Sequence, residues 1–226
     1  MKRFWLIGII VTLILLGWVF LYVAVPKEPR YQSRTLTQWL EDYPKVATFT
    51  GSIESRDAKI KECEAALKGM GDDAIPSLLN MLRVRNTPLK IRLASLMRHQ
   101  SFIRYPLPNV TLEHYYAFIG FAILGTNAQS AAPALANVMK SPDPEVRIDA
   151  IQCLLFTQPS RELLLPVLLN GLQDSQSFVR ATSASQLSIH FPDEAEKAGV
   201  YKLYPGLKVH KMTAFDGETG KFVPLN

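Results

Sequence analysis

Residues 133–139 read Pro-Ala-Leu-Ala-Asn-Val-Met and residues 166–172 read Pro-Val-Leu-Leu-Asn-Gly-Leu, two copies of one pattern that begin 33 residues apart. A third copy, Pro-Ser-Leu-Leu-Asn-Met-Leu, occupies residues 76–82. We call the pattern the cassette, and its repeated positions are Pro76, Asn80, Pro133, Asn137, Pro166 and Asn170. Val-Arg pairs follow the last two copies at one offset, as Val146-Arg147 and Val179-Arg180. A fixed period in this range is typical of stacked supersecondary units that share a core.

Apolar residues at helical spacing fill most of the chain between residues 56 and 190. The first cassette precedes the second by 57 residues, because a proline-containing insertion and an additional helix intervene. The spacing therefore predicts an all-α domain of about four helix pairs. The predicted helices cover residues 56–68, 74–83, 88–100, 112–124, 128–140, 144–157, 161–173 and 176–190.

These units resemble the HEAT-repeat family, including its bacterial HEAT-like variety. Gly125 closes one helix, Pro133 and Pro166 bend the next ones, and residues 174–180 fit the turn that opens a second helix with Val-Arg. The first unit departs from the pattern, since Ile91-Arg92 follows Pro76 at a longer offset and no Asp stands in its turn. The resemblance covers residues 56–190. It implies a right-handed α-solenoid of the armadillo type, and a binding surface for other proteins.

The repeated polar residues at the turns have expected structural roles. In the HEAT-like family, Asp and Arg tie each turn to its neighbour, so the resemblance implies this role for Arg147, Asp174 and Arg180. For Asn80, Asn137 and Asn170 we expect contact with water or with a nearby backbone group.

The N-terminus predicts a membrane anchor. Phe4 to Val25 is a run of 22 uncharged residues, enough to cross about 30 Å of hydrocarbon. A cleaved signal peptide is the alternative, but the run exceeds the usual apolar region of about 7–15 residues. We therefore expect a single-pass anchor over residues 1–25, with the remaining domain extracytoplasmic and, in a bacterium, periplasmic. The nearly balanced positive charges on its two sides leave the orientation open.

Two further segments flank the predicted repeats. Residues 26–55 are interpreted as a linker with one short helix, which begins with the capping box Thr35-Leu-Thr-Gln38 and ends at Pro44. Residues 191–226 form a C-terminal extension. Its β-prone ends around Asp216-Gly217 predict a small hairpin or a cap over the last repeat.

The amino-acid composition excludes few classes of protein function. The formal net charge of +5 includes the two anchor cations, Lys2 and Arg3, so the rest of the chain is near +3 and does not indicate nucleic acid by itself. The two cysteines, Cys63 and Cys153, lie in apolar helical patterns far apart in sequence, and we expect both to be free and buried.

One segment combines positive charge with a break in the period. Between Asp73 and Glu113 there is no acidic residue. Aromatic residues do not alternate with the cations as a platform for stacking bases would require, which disfavours nucleic acid as the partner. A solvated face with local ion pairs is the plainer interpretation; contact with a partner protein is the functional one. The candidate partner-binding residues are Arg83, Arg85, Lys90, Arg92, Arg98, His114 and Tyr115.

Signatures of catalysis are missing from the sequence. There is no HExxH, GxSxG, Walker-type loop or CxxC, and the four histidines have no metal-ligand spacing. We therefore expect a non-enzymatic, membrane-anchored scaffold or adaptor that binds a protein, with no cofactor, metal or small-molecule substrate. The alternative is a HEAT-like enzyme, a lyase or a nucleic-acid-processing protein, or a module that binds anionic surfaces through residues 83–104.

Overall fold

The chain is described by a computed structural model over residues 28–47, 53–88, 91, 92, 95, 109–208, 213–216 and 221–224, together with Thr12. The described part is mostly helical. Its helices are α1 (Leu36–Ala47), α2 (Ile53–Met70), α3 (Ile75–Leu82), α4 (Val110–Leu124), α5 (Ala132–Val138), α6 (Pro144–Phe156), α7 (Arg161–Gly171), α8 (Ser177–His190), α9 (Pro192–Lys197) and α10 (Val200–Leu203). Short 3-10 turns lie at Gly71–Ala74, Gly125–Ala131 and Pro205–Leu207.

Residues 28–43, within the region assigned above to a linker, contribute to the core. A two-residue hairpin, β1 (Arg30–Tyr31) with β2 (Arg34–Thr35), leads into α1. The capping box is confirmed, since the Thr35 N–H donates to Gln38 Oε1 over 2.9 Å and the Gln38 N–H donates to Thr35 Oγ1 over 3.3 Å. Helix α1 buries Trp39 and two leucines against α2 and α4, and it continues past Pro44, where the sequence predicted its end.

The helices form two layers through their contacts. Helices α3, α5 and α7 contain the three cassettes, and α5 packs against α7. Helices α4, α6 and α8 form the other layer, in which α6 contacts both α4 and α8. Short connections make antiparallel pairs of α5 with α6 and of α7 with α8, as helical hairpins require.

The cassette behaves alike in all three copies. Its central leucine is fully buried each time, whereas its proline and asparagine are exposed. At the end of each helix the asparagine carbonyl accepts the N–H three residues on, from Arg83, Lys140 and Gln173. The asparagine therefore lies where a helix ends at the surface, and the buried leucines are Leu78, Leu135 and Leu168.

The 33-residue register holds on the second helix of each regular unit. Matching positions of α6 and α8 are buried in the pairs Val146 with Val179, Ile151 with Ala184 and Leu154 with Leu187. The paired arginines also repeat one contact six residues back. Arg147 Nη1 donates to the Ser141 carbonyl over 2.7 Å, and Arg180 Nη1 donates to the Asp174 carbonyl over 2.8 Å.

A bidentate ion pair joins the two regular units. Arg147 donates from Nε and Nη2 to the two carboxylate oxygens of Asp174, over 2.8 and 2.7 Å. Burial alone would raise the pKa of Asp174, but the hydrogen bonds from Arg147 and from the Gln176 N–H hold it below its usual value. Arg147 is only 8% exposed, so the carboxylate compensates a charge that has lost most of its water.

The first hairpin is assembled differently from the sequence interpretation. Helix α3 packs along α4, which the sequence treated as an additional helix. The reason is the apolar face of α4, where Gly120 lets Leu78 approach closely; a Cβ at Gly120 would lie 2.3 Å from Leu78 Cδ2. Residues 83–109 thus separate the two halves of this hairpin.

Helical packing continues beyond residue 190. Helix α8 contacts α9, α9 contacts α10, and buried Phe191, Ala195 and Val200 extend the core. Arg161 on α7 forms an ion pair with Glu194 on α9 and lies 5.0 Å from the Phe191 ring centroid. An antiparallel hairpin pairs β3 (Thr213–Asp216) with β4 (Lys221–Pro224), with Asp216 opposite Lys221.

Two sequence expectations concern the membrane and the cysteines. Cys63 and Cys153 are both free and buried, as predicted. Apart from Thr12, the predicted anchor of residues 1–25 lies outside the described residues. Among the helices of the described part, none combines the length and the apolar character needed to span a bilayer.

Candidate functional site

The turns after two cassette helices meet at a cleft of about 460 Å³, which we call the basic cleft. Arg83 caps the end of α3 and Arg85 follows it, while Lys140 follows the end of α5. The described residues that line the basic cleft include no carboxylate. They are Arg83, Arg85, Asn137, Val138, Lys140, Ser141, Pro142 and Val146.

The three cations of the basic cleft are not neutralised by the part of the chain that the structure describes. The ion pairs within the described residues involve other side chains, and none of these pairs includes Arg83, Arg85 or Lys140. Arg83 and Lys140 are exposed and Arg85 is partly buried. The cleft therefore has a positive potential that an anionic group could neutralise.

A second opening, the helix groove, lies between α4 and α6 and has a volume of about 530 Å³. Its lining residues follow i, i+3, i+4, i+7 spacing on both helices, so one stripe of each helix faces the opening. The stripes are Thr111, His114, Tyr115 and Phe118 on α4, and Glu145, Ile148, Asp149 and Gln152 on α6. Tyr115 is 44% exposed, while Phe118 stacks edge-on against Phe156 with centroids 5.1 Å apart.

His114 lies at the helix groove between two acceptors. Its Nδ1 is 2.9 Å from Asp149 Oδ2, and its Nε2 is 2.7 Å from the Val84 carbonyl oxygen. Because both partners accept, both ring nitrogens must donate, which the imidazolium form alone can do. The hydrogen bond to Asp149 accordingly raises the pKa of His114, although burial opposes the shift. This geometry suits a structural cation rather than a general base, which needs a free ring nitrogen.

The two openings share a boundary. Val84, which His114 holds, lies between Arg83 and Arg85 in sequence. At the start of α6, Glu145 lines the helix groove and its neighbour Val146 lines the basic cleft. The two openings therefore adjoin at the first turn of α6.

The four α6 residues that line the helix groove have sequence counterparts on α8. Adding 33 to their numbers gives Phe178, Ala181, Thr182 and Ser185. Phe178 is 77% exposed, and α6 packs against α8. Exposed aromatic rings such as those of Tyr115 and Phe178 are enriched at interaction surfaces.

The partner-binding residues predicted from the sequence lie at the basic cleft, at the helix groove, or at neither. Arg83 and Arg85 line the basic cleft, and His114 and Tyr115 line the helix groove. Arg92 is exposed and lines neither opening, while Lys90 and Arg98 lie outside the described residues. The sequence interpretation missed Lys140, Asp149 and Phe178. Helical spacing and the 33-residue register could have indicated the last two, because both belong to one repeated stripe.

Neither a search for metal-binding clusters nor comparison with known proteins identifies a further functional residue. Among the described residues, no group of three or more His, Cys, Asp or Glu side chains is placed to hold a metal ion. Comparisons with models of known protein families, with curated proteins and with solved structures give no match to this chain.

Proposed function

We propose that this chain is a membrane-anchored helical-repeat scaffold that binds a segment of another protein and catalyses no reaction. In this proposal the two layers form a right-handed α-solenoid of HEAT-like hairpins, and residues 1–25 tether it to the bilayer. The matched buried positions of α6 and α8, the repeated arginine contacts and the Arg147–Asp174 pair between units support the repeat architecture. Such stacks present extended surfaces that suit protein binding.

The helix groove is the observation that carries the function. Its two facing stripes leave an open volume of about 530 Å³ between second-position helices, with Tyr115 exposed at its side. Phe178, the counterpart of Glu145 on the neighbouring helix α8, is also exposed. Aromatic side chains that bury large area at low entropic cost are enriched at protein interfaces. We assign the partner segment to this face of α4, α6 and α8.

Site-specific photocrosslinking tests the assignment in intact cells. A photoreactive phenylalanine analogue replaces Tyr115 or Phe178 in the full chain, and the control position is Leu203, which is 76% exposed on α10. We expect a discrete protein adduct from the first two positions and none from Leu203. Adducts of equal yield at all three positions, or at none, would contradict the proposal.

A matched pair of substitutions makes the test specific to the groove. Gln152→Arg places a long charged side chain in the helix groove, whereas Gln173→Arg makes the same change at an exposed position after α7. The adduct should disappear with the first variant and persist with the second.

The membrane anchor is tested separately by deletion of residues 1–25. After alkaline extraction the deleted chain should be found in the supernatant, whereas the full-length chain should stay in the membrane fraction. Extraction of the full-length chain into the supernatant would refute the tether.

A further inference from the structure

We propose that the basic cleft is an anion subsite that binds the side-chain carboxylates of an acidic segment in the partner protein. This inference rests on the proposed function, because it specifies the chemistry of the bound segment. It adds Lys140, Asn137 and Ser141 to the arginines that the sequence singled out.

The first argument is the convergence of charge. Arg83 and Arg85 come from the turn after α3, and Lys140 comes from the turn after α5, 55 residues further along the chain than Arg85. The described residues supply none of them with an ion pair. Like charges brought to one cleft repel each other, so an arriving anion gains attraction to all three and removes their repulsion.

A structural explanation accounts for part of this charge. Cations are stabilised near helix C-termini, and Arg83 and Lys140 stand at the ends of α3 and α5. That explanation assigns one cation to each helix end. It does not extend to Arg85, which lies beyond the last turn of α3 and is nevertheless partly buried beside the other two. Arg85 therefore adds a positive charge that the two helix ends do not require, and this additional charge indicates a ligand.

The geometry favours several carboxylates over one phosphate. The cations are supplied from two separate turns, so they can meet separate carboxylates along an extended segment. Each guanidinium can hold a carboxylate through two parallel hydrogen bonds. The amide of Asn137 and the hydroxyl of Ser141 supply uncharged donors beside them. No aromatic side chain lines the cleft among the described residues, so base stacking has no platform.

The cleft is also held in place before any ligand binds. The hydrogen bond of His114 to the Val84 carbonyl fixes the backbone between Arg83 and Arg85. Asp149 in turn fixes His114, so α4 and α6 together position this turn. A binding site that is ordered in advance loses less entropy on association.

The test uses the full chain in micelles of a neutral detergent and measures affinity by fluorescence anisotropy. The probe is a labelled oligoglutamate peptide, and an oligoglutamine peptide of equal length is the control ligand. The test variant combines Arg83→Gln, Arg85→Gln and Lys140→Gln. The matched control combines Lys61→Gln, Lys68→Gln and Lys202→Gln, which removes the same charge from exposed sites outside the cleft.

We expect oligoglutamate to bind and oligoglutamine not to bind. The test variant should weaken oligoglutamate binding about tenfold or more, since each of the three cations contributes a factor of roughly two to five. The control variant should change affinity less than about twofold. Equal far-UV circular dichroism and equal unfolding midpoints establish that both variants are folded.

Several results would overturn the inference. These are an absence of oligoglutamate binding, equal binding of oligoglutamine, or equal losses in the test and control variants. Tighter binding of single-stranded DNA, or of vesicles containing phosphatidylserine, would replace the acidic segment by another anion. The groove variant Gln152→Arg should leave peptide binding unchanged, which separates this inference from the proposed function. Crosslinks at Tyr115 without peptide binding would refute the anion subsite alone, and peptide binding without crosslinks would refute the groove alone.

Discussion

Removal of the Asp174 carboxylate tests the idea that one ion pair holds the two regular units together. In Asp174→Ala, Arg147 keeps its bond to the Ser141 carbonyl but loses both carboxylate contacts. Breaking a buried pair costs about 3–5 kcal/mol, and an exposed pair contributes at most about 1 kcal/mol. Because Arg147 is 8% exposed while the Asp174 side chain is 13% exposed, we expect a loss of about 3 kcal/mol in the free energy of unfolding.

The carboxylate has a second role that needs its own control. Asp174 Oδ1 also accepts from the Gln176 N–H at the start of α8, over 2.9 Å. Asp143 makes the equivalent contact with the Glu145 N–H at the start of α6, over 3.0 Å, and the described structure gives it no arginine partner. Asp143→Ala therefore measures the cap alone, for which we expect a loss of about 1 kcal/mol.

We would measure these losses by urea unfolding. The proteins compared are the two single variants and a double variant that combines Arg147→Met with Asp174→Ala. The double variant should lose less stability than Asp174→Ala alone, because no guanidinium is then left without its counter-charge. The pKa of Asp174 is lowered in the folded state, so its contribution is present above its unfolded value and is lost as the pH falls through the folded value. A loss for Asp174→Ala no greater than for Asp143→Ala, at neutral pH, would refute the reasoning.

Three further predictions concern the core. Gly120→Ala forces a Cβ to within 2.3 Å of Leu78 Cδ2 and should cost about 1–3 kcal/mol in urea unfolding; an unchanged midpoint would refute the close approach of α3 and α4. Because the pKa of His114 is raised, its stabilising contribution is present below its unfolded value and is lost as the pH rises through the folded value. The stability difference from His114→Gln should therefore be larger near pH 5 than near pH 9, and a difference that grows with pH would contradict the double hydrogen bond to Asp149 and Val84. Burial raises the pKa of the Cys153 thiol, so a maleimide should label it only after denaturation, as mass spectrometry can establish.

The sequence predicted the local features well, because their causes are local. Period and apolar spacing placed the cassette helices, and the buried Leu78, Leu135 and Leu168 follow from that pattern. The capping box at Thr35 depends on residues three apart, and Gly125 has φ of 54°, which glycine adopts without strain. Each of these is decided by neighbours in the chain.

What the sequence did not predict depends on distant residues. The pairing of α3 with α4 bridges residues 83–109, and its one sequence signal is Gly120 within a strongly apolar helix. Lys140 joins the basic cleft only because two turns meet in space. The complete burial of Trp39 likewise follows from the packing of α1 against α2 and α4, partners that the sequence around Trp39 does not identify.

The separation of α3 from α4 also bears on the order of folding. The hairpins α5–α6 and α7–α8 each close over five residues, whereas the hairpin α3–α4 closes over 27 residues. The entropy of closing the longer connection is greater by about 1.5 kcal/mol, from the logarithm of the ratio of lengths. Local contacts form sooner than distant ones. We therefore expect the hairpins α5–α6 and α7–α8 to form first during refolding, and α3 to join α4 after them.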